Sequence, residues 1–267
     1  ILLNGLSMKT PESEMKGRVE LKYDRKDFSD FNNKVVFDVQ FDKASIASND
    51  LNYFYNEFGK NNVFYVDTHL VGTLNNFTTH NLKLVDKNQS EIVGTINFQN
   101  LFGKGDQAFY MKGNFDRLTS SYDRLKAILP RILGKNLPST LDKLGTVNMI
   151  GGVELTQKYI NADVYLMSKL GELESNLSMQ NIDVIDNALY KGNLILNDFD
   201  LGTLLGKQEI GRATVNLDVD GRGFTQKLLN TAIKGEIQKF YYNGYNYQNI
   251  TVDGSMKMPY YKGYFNS

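Results

Sequence analysis

The chain contains no cysteine and no tryptophan, and only four prolines and two histidines in 267 residues. The missing cysteine excludes disulfides, thiolate metal sites and cysteine nucleophiles, and leaves the compartment open. Neither sign of charge is in excess: 30 lysines and arginines balance 30 aspartates and glutamates. A neutral surface exerts no general pull on nucleic acid, so no DNA or RNA partner is expected. No run approaches the roughly 20 apolar residues of a membrane-spanning helix. No basic start with an apolar middle marks a signal peptide. The first residues, "ILLNGLSM", already read as a strand, and we expect a piece of a longer protein.

What the chain does have is aromatic and alternating. Aromatics make up 12%, all Phe and Tyr. In "KVVFDVQF", Val35, Phe37, Val39 and Phe41 share one phase. In "INADVYL", Ile160, Ala162, Val164 and Leu166 do the same, as do Leu173, Leu177 and Met179 in "GELESNLSM". "ATVNLDVD" sets Ala213, Val215, Leu217 and Val219 against polar neighbours. "NITVDGSMKM" does so with Ile250, Val252, Met256 and Met258. Strict alternation predicts strands with one apolar and one wet face, in an antiparallel sheet. The fold class expected is all-β.

Helices are few. "SNDLNYFYNEFGK" predicts one, with Ser48 as N-cap, Asp50 in its first turn, and Leu51, Phe54, Tyr55 and Phe58 as its apolar stripe. "SSYDRLKAILPRILG" predicts a second, with Leu125, Ile128, Leu129 and Ile132 on one face and Pro130 ending or kinking it. "STLDKLG" and "DLGTLLG" suit single turns. A loose repeat links "KGNFDRLTSSYDRL" at Lys112 to "KGNLILNDFDLGTLL" at Lys191: a strand, then a leucine-bearing helical turn. Glycines recur within strand patterns, among them Gly17, Gly94, Gly113, Gly192, Gly235 and Gly254, and predict bends or close backbone approach. No Pro- or Ser-rich linker divides the chain. One continuous segment, 1–267, is expected, with a weak subdivision near 115–145.

Catalytic chemistry finds little support. His69 lies on a polar phase near Asp67, and His80 stands alone; zinc needs three or four clustered ligands. Asp218 with Asp220, and Glu172 with Glu174, read as solvated strand faces. "GRGF" at Gly221 and "GKGD" at Gly103 lack the rest of a phosphate loop and read as turns. There is no Gly-x-Ser-x-Gly element. We expect no enzyme, no metal and no cofactor. The tyrosines of "FYYNGYNYQNITVDGSM" flank Asn243-Gly244, a hairpin signal.

That hairpin with its continuation, "AIKGEIQKFYYNGYNYQNITVDGSMKMPYYKGYF", preceded by "LDVDGRGFTQKLLNT", resembles the TamB family of AsmA-like envelope proteins in its Bacteroidetes form. "FDKASIASNDLNYFYNEFGK" and "LNDFDLGTLLGKQEIGRATVNLDVDGRGF" are similar to AsmA-like units. The resemblance runs from about Phe37 onward and is carried by structural motifs. It implies a long curled sheet with an apolar groove, in the periplasm of a Gram-negative bacterium. It implies an inner-membrane anchor and an Omp85-type outer-membrane barrel partner, both reached through regions outside this sequence. It implies phospholipid transport or support of outer-membrane protein assembly. The groove lining for phospholipid acyl chains would be Val35, Phe37, Val39, Phe41, Ile160, Val164, Leu166, Leu173, Leu177, Val215, Leu217, Val219, Ile250, Val252 and Met256. Two alternatives stand beside it: an outer-membrane β-barrel, and a structural β-solenoid or spacer with a solid core.

Overall fold

The alternating stretches become strands, save that Lys34 and Val35 of "KVVFDVQF" close a short helix before its strand begins at Val36. The structure is a computed structural model, and it describes residues 1–53, 58–101, 109–128, 130, 139–223, 229–257 and 260–266. The first seven strands are β1 (Leu2–Lys9), β2 (Glu14–Lys22), β3 (Val36–Ala47), β4 (Val63–Gly72), β5 (Phe77–Asp86), β6 (Glu91–Gln99) and β7 (Tyr110–Ser121). The other eight are β8 (Thr146–Thr156), β9 (Tyr159–Ser168), β10 (Gly171–Gln180), β11 (Leu189–Asp200), β12 (Ile210–Arg222), β13 (Asn230–Tyr242), β14 (Tyr245–Lys257) and β15 (Tyr260–Asn266). The fold is all-β. Among the described residues, strand order follows chain order from β1 to β15, with no pairing of β15 to β1. The chain divides into two compact units, Ile1–Leu137 and Pro138–Ser267.

Strands that pair only with their sequence neighbours can be joined by short connections, and several here are, as between β8 and β9 and between β9 and β10, whereas the connections after β2, β3 and β7 are longer. A two-residue turn joins β13 to β14. Asn243 (φ 49°) and Gly244 (φ 88°) both take positive φ, as a two-residue turn matched to strand twist requires.

Two devices bend the strands. One is the β-bulge. Register shifts fall between Phe41 and Ala44, between Thr79 and Leu82, and between Leu196 and Phe199. The extra residues include Lys43, Asn81 and Asp198, all at positive φ; Asn249 in β14 shares the positive φ, but its register with β13 does not shift. Asn and Asp tolerate this conformation better than other non-glycine residues, and bulges increase local twist. The other device is glycine. At Gly192 (φ 153°) an added Cβ would lie 1.9 Å from the carbonyl oxygen of Asn176 on the next strand.

The first helix is shorter than expected, and one element differs in kind. The first runs only Ser48–Leu51, with Ala47 as N-cap. Ser48 is buried, and its hydroxyl accepts from the Asn62 backbone N–H at 2.9 Å, so it does not cap. Asp50 accepts instead from Thr10 at 2.6 Å and Ser13 at 2.5 Å, tying the β1–β2 turn to this helix. Phe54 and Tyr55 of the expected stripe lie outside the described residues. Phe58 packs near Phe64, and the Gly59 N–H donates to the Ile128 carbonyl at 3.1 Å. The second helix is Tyr122–Ile128, with Pro130 in a turn; Leu129 and Ile132 are not described. Ser139–Leu144 forms a 3-10 turn, and Leu201–Leu205 a helix capped by Asp200 and closed by left-handed Gly206. The loose repeat is real at this level: β7 runs directly into Tyr122–Ile128, and β11 directly into Leu201–Leu205.

Gly192→Ala should lower unfolding free energy by about 2–4 kcal/mol, from positive φ plus a backbone clash. Gly244→Ala, with nothing within 4 Å of its added Cβ, should cost about 1 kcal/mol. Urea midpoints measure both; equal costs would contradict this account.

Candidate functional site

Residues directly opposite on neighbouring strands share a face of the sheet. In the second unit the register runs Met149, Leu166, Leu173, Leu196, Val215, Ile237, Ile250 along one row. The next row runs Val164, Ser175, Leu194, Leu217, Gly235, Val252. A third runs Val153, Ala162, Leu177, Gly192, Val219, Ile233. Ile160 pairs opposite Met179 and Met256 opposite Thr231, in a fourth row on the same face. Ile160, Val164, Leu166, Leu173, Leu177, Val215, Leu217, Val219, Ile250, Val252 and Met256 are therefore brought onto one face. For Met256 this rests on backbone register; Met258 lies outside the described residues.

The first unit builds its own apolar face. Phe37 lies between Leu21 and Gly72, Val39 between Val19 and Leu70, and Phe41 between Gly17 and Thr68. Val35 stands just before β3, closing the helix Phe31–Lys34, and is fully buried.

Burial is uneven across these faces. Val39 and Val215 are 5% and 6% exposed. Leu166, Leu173, Leu177, Leu217, Val219 and Ile250 are only half-buried. Among the described residues no helix exceeds the seven residues of Tyr122–Ile128, so helices cover little of this surface.

The opposite face is polar. Asn176, Asn193, Asp218, Lys234 and Asp253 stand opposite one another in sequence and floor a shallow depression of about 570 Å³. Asp218 accepts from Asn193 at 3.1 Å, Asp220 pairs with Lys191 at 2.9 Å, and Glu172 accepts from Asn197 at 3.0 Å. These carboxylates sit in a solvated ladder of alternating groups, as the alternation predicts. Gly221 lies within β12, and Gly103 is outside the described residues.

In comparisons with known proteins, no family model, no curated protein and no solved structure matches the chain.

The histidines need a correction. The partner of His69 is Asp38, with Nε2 2.8 Å from Oδ1, and not Asp67. Register explains it: Gln40 pairs opposite His69, which puts Asp38 on the diagonal, while Asp67 faces Lys83. His80 stands directly opposite His69, ring centroids 5.9 Å apart. Arg18 and Lys22 each approach Asp38 to 3.6 Å. Among the described residues no three His, Asp or Glu side chains lie close enough to hold a metal ion.

The missed signal was in the strands themselves. Asparagine in "THNLKL" breaks alternation where Asn81 lies in a bulge, and in "YQNITV" Asn249 takes positive φ without a register shift. An Asn or Asp amid β-branched residues is readable as such a device.

The His69 hydrogen bond, helped by the His69, Lys22 and Arg18 charges, holds the Asp38 carboxyl below the usual carboxylate range. A pKa depressed on folding contributes stability above the unfolded value, and that stability is lost as pH falls through the folded value. Wild type should thus lose more stability than Asp38→Asn on acidification below about pH 4. Urea midpoints at neutral and acid pH measure it; parallel losses would contradict the pairing.

Proposed function

We propose that the apolar face holds phospholipid acyl chains, and that the chain is a segment of a lipid-conducting groove in a TamB- or AsmA-like periplasmic protein. One observation carries the reading: a row of large apolar side chains runs unbroken from Met149 on β8 to Ile250 on β14, flanked by rows of Leu, Val and Ile interrupted at Ser175, Gly192 and Gly235, many of these side chains only half-buried. A sheet with one apolar face must cover it, with a second layer or with a ligand. Acyl chains meet that need without directional contacts. Each CH₂ taken from water contributes about 0.8 kcal/mol. A long chain would gain on the order of 10 kcal/mol before the entropy of ordering is subtracted. The charged, hydrogen-bonded opposite face suits water. In this reading the protein is not an enzyme; it moves phospholipid between inner and outer membranes, or supports outer-membrane protein assembly. The anchor and the Omp85-type partner belong to regions outside this sequence. The runner-up is a structural spacer whose faces pack into a solid core.

Leu217 and Val215 separate the two readings. Leu217 is half-buried in mid-strand, and Val215 is 6% exposed. On an open face, Leu217→Arg reaches water, so its melting temperature should fall by only a few degrees. Val215→Asp, in the tighter row, should cost several kcal/mol. The folded Leu217→Arg protein should lose most co-purifying phospholipid, measured by extraction and mass spectrometry. A folded variant that keeps wild-type lipid would sink the conduit; an unfolded one would favour the solid core.

A further inference from the structure

The tip of the β13–β14 hairpin is the most exposed aromatic feature of the second unit for which side chains are described on both strands. Tyr242 pairs opposite Tyr245, and Phe240 opposite Tyr247. Phe240 also pairs with buried Ala213, which puts these four rings on the apolar face. Tyr242, Tyr245 and Tyr247 are nonetheless 43%, 70% and 44% exposed. Tyr241 emerges on the other face, its ring over Gly211. The β14–β15 register begins at Thr251, so among the described residues the outer edge of β14 from Tyr245 to Ile250 has no strand beside it. Leu205, exposed at the close of the helix after β11, lies at the same sheet end, because Asp200 pairs with Arg212 and Ile210 with Tyr242.

From Phe240 to Ile250 the chain carries no charged residue. Tyrosine on both faces of a tip, with hydroxyls and amides but no charge, has the chemistry of a membrane–water interface. The ring is apolar, and its hydroxyl seeks the head-group zone. We propose that this tip docks into the surface of a zwitterionic phospholipid bilayer. Without a basic cluster, anionic lipid adds no attraction, and binding is insensitive to salt. A glycan-stacking platform fits less well, because it needs one flat face, whereas aromatic rings here project from both. The inference rests on the hairpin alone and not on the conduit.

Because the chain has no tryptophan, Tyr245→Trp places a single reporter at the tip. Added phosphatidylcholine vesicles should shift its emission to the blue, and brominated acyl chains should quench it, equally in low and high salt. Tyr65→Trp, exposed on β4, should respond to neither. The triple variant Tyr242→Ser, Tyr245→Ser, Tyr247→Ser should keep its circular dichroism and stop floating with vesicles. Tyr245→Asp serves the same purpose where the triple variant fails to fold. Unchanged Tyr245→Trp emission with vesicles overturns the inference. So does equal quenching of Tyr65→Trp, or a shift produced by a soluble neutral polysaccharide in place of vesicles. A failed conduit is distinguishable, since it changes phospholipid retention by Leu217→Arg and leaves the Tyr245→Trp emission untouched.

Discussion

Cross-strand register is the interaction on which the rest depends. Leu194 opposite Leu217, and Val215 opposite Ile237, fix which side chains share a face. A slip of one residue would turn a whole strand over, putting Asn216 and Asp218 among leucines. The slip is resisted because burying an unpaired carboxylate costs far more than one ladder hydrogen bond contributes. The polar face adds its own lock through pairs such as Lys191 with Asp220. Apolar rows and charged rows therefore specify the same alignment, which is the agreement between levels expected of a chain with one native state.

Given that register, bending becomes the second constraint. Twisted strands of 12 or 13 residues, such as β11 to β14, accumulate strain unless some positions give way. The bulge at Asp198, the positive φ at Asn249 and the close approach at Gly192 supply those positions. Gly192 falls between Leu177 and Val219 in the third apolar row, where a side chain would strike the neighbouring backbone. A device that bends a strand thus also thins its apolar face.

Much of this was legible in the residues. Period two located β9, β10, β12 and β14 and assigned their faces, because alternation leaves a strand only one way to sit. Asn243-Gly244 announced its hairpin, since few residue pairs take positive φ twice. The helix beginning at Ser48 was legible, but its cap and its end at Leu51 were not. Its aromatic spacing looked helical, but Ser48 spends its hydroxyl on Asn62, a residue 14 positions away that no local pattern reveals. The His69–Asp38 pair was missed for the same reason: it depends on the offset between β3 and β4, not on sequence proximity. The division at 137/138 carries no linker composition and follows from contacts alone.

The account turns on whether the face bearing Leu217 is open to acyl chains. A chain without cysteine allows a single spin label to be placed there through Leu217→Cys. The decisive measurement is its accessibility to dissolved oxygen and to a water-soluble nickel complex, before and after adding phospholipid. The account predicts a label reached by the nickel complex in lipid-free protein, and by oxygen but not nickel once lipid is bound. A label closed to both reagents in both states would mean a solid core and would contradict it.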